Sequence, residues 1–302
     1  MSELAQRIVV AVIAAPIALW IVLVGGAPLA GLLAVVSALG AWEFYRIARA
    51  AGAYPVADAG IALAGLVPLA IHASYLGVFT VRPALAALVV LVLLGSTIWL
   101  RGVDGRPLGA AAVTILGVLY TAGMLGFGYA IRYHDTVIGY DVVGSSSMVV
   151  GPLALRVPPG GVLLTFPLVI TWASDIGAYF VGRAIGGRKL IPSVSPGKTV
   201  AGAVGGLVAS MLVSYAFARG VLVPVAHLGF TPWGALLFGA IISVAAQVGD
   251  LFESLIKREG GVKDSSRIIP GHGGILDRFD SVIFVLPVAY LLLGWLPLPV
   301  FR

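Results

Sequence analysis

Not one cysteine occurs in the 302 residues. That excludes disulfides, thiolate catalysis and Cys-ligated metals, and it leaves the redox compartment unreadable. Charge is scarce as well: 11% of the residues are Asp, Glu, Lys or Arg, where a soluble chain carries about a quarter. Only 13 residues are acidic. Internal repeats, heptads and a linker setting off a second domain are also missing. What fills the chain instead is apolar: 60% of residues are hydrophobic and the mean hydropathy is +1.05. Water cannot be the solvent along most of such a chain, so the composition selects an integral membrane protein. The 40 glycines and 18 prolines agree, because both are commoner in membrane helices than in soluble ones. A net charge of +6 and a pI near 9.7 would suit nucleic acid, but where the charge sits matters more than its total.

The apolar runs predict an all-α, polytopic membrane protein with about nine transmembrane helices, near 8–24, 28–45, 57–77, 84–100, 109–131, 162–182, 201–218, 232–256 and 282–298. Each is close to the length that crosses about 30 Å of hydrocarbon at about 1.5 Å per residue. The run Ile8–Val24 has the look of a signal peptide, but another apolar run follows at once, so it is expected as a retained first span. The whole of 1–302 is expected as one membrane domain, with N-terminal helices over 1–131 and catalytic helices and loops over 162–302. The connection from Arg132 to Gly161, with "GYDVVGSSSMVVGP", is expected to be a loop or partly re-entrant.

Lysine and arginine set the orientation. With nine spans and a cytoplasmic amino terminus, only Arg82, Arg132, Arg156, Arg219 and Arg302 of the 19 Lys and Arg residues fall on the far face. The positive-inside rule therefore predicts a cell-membrane protein with a cytoplasmic amino terminus and a carboxy terminus on the opposite side. Basic residues beside the inner-leaflet headgroups suit anionic lipids or nucleotides; ordinary topology charge is the plain alternative.

Carboxylates in hydrocarbon cost at least a few kcal/mol, so the acidic residues in apolar runs point to a polar cavity or a partner. Asp175 lies inside "FPLVITWASDIGAYFVGR", and Asp250 inside "ISVAAQVGDLFESLIKR". Asp250, Glu253 and Lys257 share one helical face by their spacing of three and four. An internal ion pair holding a bundle together is the bland reading of both aspartates. The densest polar stretch is "ESLIKREGGVKDSSRIIPGHGGILDRFDS", 253–281. It leaves one span, turns through a Gly-rich loop and opens the last span with Asp277 and Asp280 on one face. Asp250 and Asp277 thus stand near the cytoplasmic ends of consecutive spans, and the loop is expected to bring them together. Paired carboxylates repel and call for a cation; with oxygen ligands alone, Mg²⁺ or Mn²⁺ fits. A second polar segment, Gly182–Gly202, follows the Asp175 span on the same face. Its Arg188, Lys189 and Lys198 suit phosphate, and Ser195 and Thr199 can donate hydrogen bonds to it. "SPGKT" lacks the spacing and the preceding strand of a P-loop. Basic loops around carboxylates suit phosphoryl or nucleotidyl transfer to a lipid. A transporter would instead show acids at mid-membrane in broken helices or inverted repeats, and neither is apparent.

The stretch Ser254–Asp280, read as S-x-x-K-R-x(4)-K-D-x(5)-P-G-H-G-G-x-x-D-R-x-D, resembles the signature of the phosphatidate cytidylyltransferase (CDP-diacylglycerol synthase) family. "SDIGAYFVGRAIGGRKLIPSVSPGKT" is similar to that family's other conserved stretch. The resemblance implies CTP and phosphatidate as substrates, CDP-diacylglycerol and pyrophosphate as products, Mg²⁺ (or Mn²⁺, with a second cation allowed) as cofactor, and a homodimer among membrane lipids; nucleic acid is not an expected partner. Asp250 and Asp277 would hold the metal, with Asp280, Asp264 or Asp175 completing or ordering its shell. Lys257, Arg258, Lys263 and Arg278 would clamp the phosphates of CTP, and Arg188, Lys189 and Lys198 would hold phosphatidate or share that task. His272 would orient the loop or donate a hydrogen bond. A related enzyme acting on another phosphorylated lipid would carry the same charged residues. One departure stands out: the family commonly continues "SPKKT" with x-E-G, whereas this chain has Gly197 and, before Gly202, Ala201.

Overall fold

The computed structural model describes residues 3–80, 82–135, 148–150, 155–269, 271 and 273–299. Its helices are α1 (Glu3–Val24), α2 (Gly26–Ala50), α3 (Ala57–Tyr75), α4 (Pro83–Leu100), α5 (Pro107–Arg132), α6 (Pro159–Ile185), α7 (Val200–Ala226), α8 (Pro232–Glu259) and α9 (Leu276–Leu293). Proline opens α4, α5, α6 and α8, where its missing N–H is no loss and its fixed φ suits the first turn. Among the described residues, α2 to α8 are each long and apolar enough to cross a membrane. The first helix adds the shorter apolar stretch Val12–Val24. The last begins with Asp277, Arg278 and Asp280. Each expected span thus corresponds to one helix of the described residues, and the fold is an all-α polytopic membrane protein.

Two spans differ most from the hydropathy reading. The last helix covers Leu276–Leu293 rather than 282–298, because its polar first turns are helical without being apolar. Beyond it, turns at Gly294 and Trp295 lead into a two-residue strand, β6 (Leu298–Pro299). The seventh helix runs past 218, because Arg219, Gly220 and Pro224 are absorbed in a wider π-helical segment, Ala218–Ala226. Three two-stranded antiparallel sheets accompany the helices: β1 (Met148–Val150) with β2 (Leu155–Val157), β3 (Lys189–Ile191) with β4 (Ser195–Thr199), and β5 (Leu228–Gly229) with the distant β6. The first of these falls in the connection expected as a loop, most of which lies outside the described residues.

The chain divides into two compact units, one of 1–15, 26–129 and 255–279, the other of 16–25, 130–254 and 280–302. In the first unit α2 supplies the centre, burying Leu29, Leu33, Phe44, Tyr45 and Ile47. The Tyr45 ring lies where a Cβ on Gly60 or Gly117 would overlap it, and its hydroxyl donates to the Thr114 carbonyl at 2.6 Å. The Thr114 hydroxyl in turn accepts the Val56 N–H at 2.8 Å. Arg101, just after α4, donates to the carbonyls of Tyr54 and Pro55 at 3.1 and 2.6 Å, so the turns after α2 and after α4 lie at the same end of this unit.

In the second unit, polar contacts join helices in a core otherwise filled by Phe166, Ile170, Phe238 and Ile242. The hydroxyls of Ser174 and Ser243 meet at 2.8 Å, Ser214 donates to the Ala235 carbonyl at 2.6 Å, and Gln247 donates to the Ala203 carbonyl and the Ser243 hydroxyl at 3.1 Å each. Such side chains join helices where apolar contact alone gives little preference over lipid.

Candidate active site

The second unit holds a cleft of about 470 Å³ between α6, α7, α8 and the β3–β4 hairpin, whose charged and polar lining residues are Asp175, Tyr179, Arg183, Lys198, Thr199, Gln247 and Asp250. Asp175 and Asp250 lie roughly 24 and 27 Å along their helices from the prolines that open them, at about 1.5 Å per residue. That places both near the far boundary of about 30 Å of hydrocarbon. The hairpin carries Lys198 into the cleft, where its ammonium pairs with the Asp250 carboxylate; both side chains are about one-third exposed, at 27% and 35%. "SPGKT" is therefore strand β4 rather than a phosphate loop. Thr199 ends the strand and caps α7, its hydroxyl accepting the Gly202 N–H at 3.0 Å. Arg183 donates to the Tyr179 hydroxyl at 2.8 Å, one turn along the same helix.

Gly249 brings α8 close to α9 from Asp280 onward. A Cβ there would stand 2.6 Å from the Asp280 carbonyl, so only glycine lets α8 and α9 pass this closely. In consequence Asp175, Asp250 and Asp280 feel one another's charge, with Lys198 as the cation among them. Among the described residues no three Asp, Glu or His side chains are grouped tightly enough to cage an ion unaided. Hard oxygen donors in this number still suit Mg²⁺, which takes one or two carboxylates and completes its octahedron from phosphate and water.

The first unit holds the loop between α8 and α9. Lys257 donates to Asp277 Oδ1 at 2.6 Å, with both side chains largely buried. Asp277 Oδ2 accepts the Ser265 N–H at 3.0 Å, the Ser265 hydroxyl at 2.8 Å and the Gly274 N–H at 2.8 Å. A carboxylate that sequence alone left unnoticed stands behind them. Glu43 of α2, fully buried, accepts from the Ser265 and Ser266 hydroxyls and from the Ile275 and Leu276 N–H groups at 2.9 and 2.6 Å.

The expected residues therefore fall in two groups. Asp175, Lys198, Thr199 and Asp250 line the cleft, and Asp280 borders Asp250. Arg188, Lys189 and Ser195 sit on the adjoining hairpin, with Arg188 and Lys189 exposed. Lys257 and Asp277 are paired in the first unit, where Arg258, Lys263, Asp264 and Arg278 are exposed. His272 lies outside the described residues. Ala201, where the family commonly has Glu, borders an apolar groove with Gly177, Val181 and Val204 rather than the cleft. Sequence reasoning missed Arg183, Gln247 and Glu43. The i, i+4, i+8 spacing of Asp175, Tyr179 and Arg183 marks one face of α6 and was available to find the first of them.

Comparison with known proteins covers nearly the whole chain. A Bacillus subtilis protein named phosphatidate cytidylyltransferase is 32% identical over 297 residues, 97% of this chain and 99% of its own. Proteins of the same name from Staphylococcus saprophyticus and Brucella suis are similar over shorter stretches. The first is 48% identical over 130 residues, 43% of this chain and 48% of its own. The second is 39% identical over 185 residues, 58% of this chain and 66% of its own. The sequence model of the cytidylyltransferase family matches residues 5–296, and the chain belongs to that family.

Proposed function

We propose that the protein is a phosphatidate cytidylyltransferase, transferring CMP from CTP to phosphatidate to give CDP-diacylglycerol and pyrophosphate. The observation that carries the reading is a cleft of paired acid and base at the ends of membrane-length helices, in a chain of the cytidylyltransferase family. Such a cleft faces a charged, water-borne nucleotide on one side and a lipid headgroup on the other.

The bond that forms joins a phosphate oxygen of the lipid to the α-phosphorus of CTP; the bond that breaks joins that phosphorus to the β-phosphate, which leaves in pyrophosphate. The attacking phosphomonoester is mostly a dianion at pH 7, since its second pKa is about 6, so no strong general base is needed. The protein's work is to align and neutralise. Lys198 and Arg183 supply positive charge at the cleft. Lys257, Arg258, Lys263 and Arg278 do the same on the loop, which carries the family signature. Gln247, tethered through its amide nitrogen, offers a fixed polar edge. Mg²⁺, when bound, offsets the charge of the triphosphate and of departing pyrophosphate. Asp250 and Asp280 are the carboxylates we assign to it in the cleft; Asp277, which the signature implies as a further ligand, is met in the first unit by Lys257 and by Ser265 and Gly274 donors on its two oxygens.

Lysine and arginine distribution supports loops and amino terminus on the cytoplasmic side, where CTP is made available. A twofold dimer completes the reading, on the general prevalence of such pairs.

The test is purified protein with labelled CTP and a panel of phospholipids and nucleotides, scored for pyrophosphate and CDP-lipid with and without Mg²⁺. CDP-diacylglycerol formed only from CTP and phosphatidate is the expected result. Transfer to a different phosphorylated lipid would redirect the acceptor assignment, and no transfer to any lipid would end the proposal.

A further inference from the structure

Among the described residues, Glu43 is the one acidic side chain in the first unit's helices that is wholly buried and yet bonded on both oxygens to a distant segment. Its partners lie 222 to 233 residues away along the chain. We propose that Glu43 is a positioning residue of the transfer reaction: it fixes the entry of α9, and through it the aim of Asp277 and Lys257. This rests on the functional reading above and names a further part of the same machinery.

The argument begins with the helix start. The first N–H groups of a helix have no partner within it, and a carboxylate there meets both the orphan donors and the positive end of the dipole. A helix can find that partner in its own N-cap, as α7 does in Thr199. The entry of α9 takes it from α2 instead. Gly274 leaves room for this: a Cβ there would fall onto the Ser265 hydroxyl and both Glu43 carboxylate oxygens. The same carboxylate also holds Ser265 and Ser266, the residues next to Lys263 and Asp264 of the signature. So one buried group ties down both ends of the Gly-rich turn.

Ser265 carries the coupling to Asp277. Its hydroxyl lies 2.9 Å from Glu43 Oε2 and 2.8 Å from Asp277 Oδ2, and it has a single proton to give. Its N–H and that of Gly274 go to Asp277 Oδ2 as well. Removing the Glu43 charge leaves that proton to Asp277 but unties Ser266, Ile275 and Leu276, which set where the Ser265 and Gly274 donors stand, and with them Asp277 and its Lys257 contact at 2.6 Å. Residues that position a reacting group within a fraction of an ångström control turnover more than substrate affinity.

Glu43→Gln is the probing variant. Glutamine keeps size and one acceptor but presents an amide NH₂ where one backbone N–H and one serine hydroxyl already point. The measurements are kcat and KM for CTP, thermal unfolding without substrate, and amide hydrogen exchange. The expected result is a kcat lower by roughly 10- to 100-fold, the range of a lost charged hydrogen bond, with KM for CTP within about threefold. Exchange at Ile275 and Leu276 should quicken by a similar factor, while amides of α3 stay protected. Glu43→Asp, which restores the charge, should recover a substantial part of kcat. A Glu43→Gln protein with wild-type kcat overturns the proposal. So does a loss of kcat matched by faster exchange throughout the first unit, since that marks a packing residue. If Glu43→Gln does not fold, Ser266→Ala removes one of the same bonds, and unchanged kcat with unchanged exchange at Ile275 and Leu276 overturns the proposal there. A wild-type protein unable to use CTP and phosphatidate fails the functional reading instead, whereas quickened exchange confined to the loop still identifies the anchor.

Discussion

Two sets of carboxylates, one in each compact unit, are treated in opposite ways. In the first unit, Glu43 and Asp277 are met by backbone N–H groups, serine hydroxyls and Lys257 on both oxygens. In the second, Asp250 is met by Lys198 and Asp175 borders open volume, with Asp280 near enough to repel both. Fixed, saturated carboxylates hold a loop in one shape. Carboxylates crowded beside a cation and a cavity keep a demand for positive charge that a ligand can meet. The contrast teaches that acid count alone does not locate chemistry in a membrane protein; the supply of donors around each acid does.

The largest effect that would sharpen this contrast is expected from Asp250→Asn. Turnover should fall about a thousandfold, since a charge that neutralises a transferring phosphate is worth several kcal/mol, while exchange in the Gly-rich loop stays as in the wild type. Near wild-type turnover in the purified variant would remove Asp250 from the machinery. Asp277→Asn is expected to lose turnover almost as severely and also to quicken exchange at Ser265 and Gly274, because its carboxylate serves the loop directly. If only turnover changed, the loop would not depend on that carboxylate and the contrast between the units would weaken. A smaller effect, on stability alone, is expected from Gly117→Ala. Its methyl runs into the Tyr45 ring, which is held by its hydrogen bond to Thr114, so the variant should lose about 1–3 kcal/mol. Turnover per folded molecule should stay within about twofold, as read from thermal unfolding beside the transfer assay. Thr199→Ala should be the mildest: loss of the α7 cap costs about 1 kcal/mol. A loss of turnover far beyond that would mean its hydroxyl also serves a phosphate.

Much of the architecture was legible because a membrane helix must announce itself as a long apolar run. The run fails at edges that are helical but polar. Asp277, Arg278 and Asp280 hid the first turns of α9, and Arg219 with Pro224 hid the end of α7. The β3–β4 hairpin was illegible because its strands are short and polar, with no alternation long enough to show a period. At the site, Asp175 and Asp250 stood out by the cost of their setting, and the structure places both on one cleft. Glu43 was harder. It looks like an ordinary acid near the end of an apolar helix, and what distinguishes it is a set of partners no local pattern contains.

That separation has a consequence for how the protein is made. Glu43 leaves the ribosome long before the serines and amides that will bind it: Ser265 follows 222 residues later, roughly 10 to 45 s at about 5–20 residues per second. Throughout that interval α2 must sit in or beside the bilayer with a carboxylate that has only water and headgroups for company. Its place seven residues before the end of α2, about 10 Å from Ala50 along the helix, keeps those within reach. Biogenesis of this protein therefore closes late: the first helices wait, and the last loop completes them.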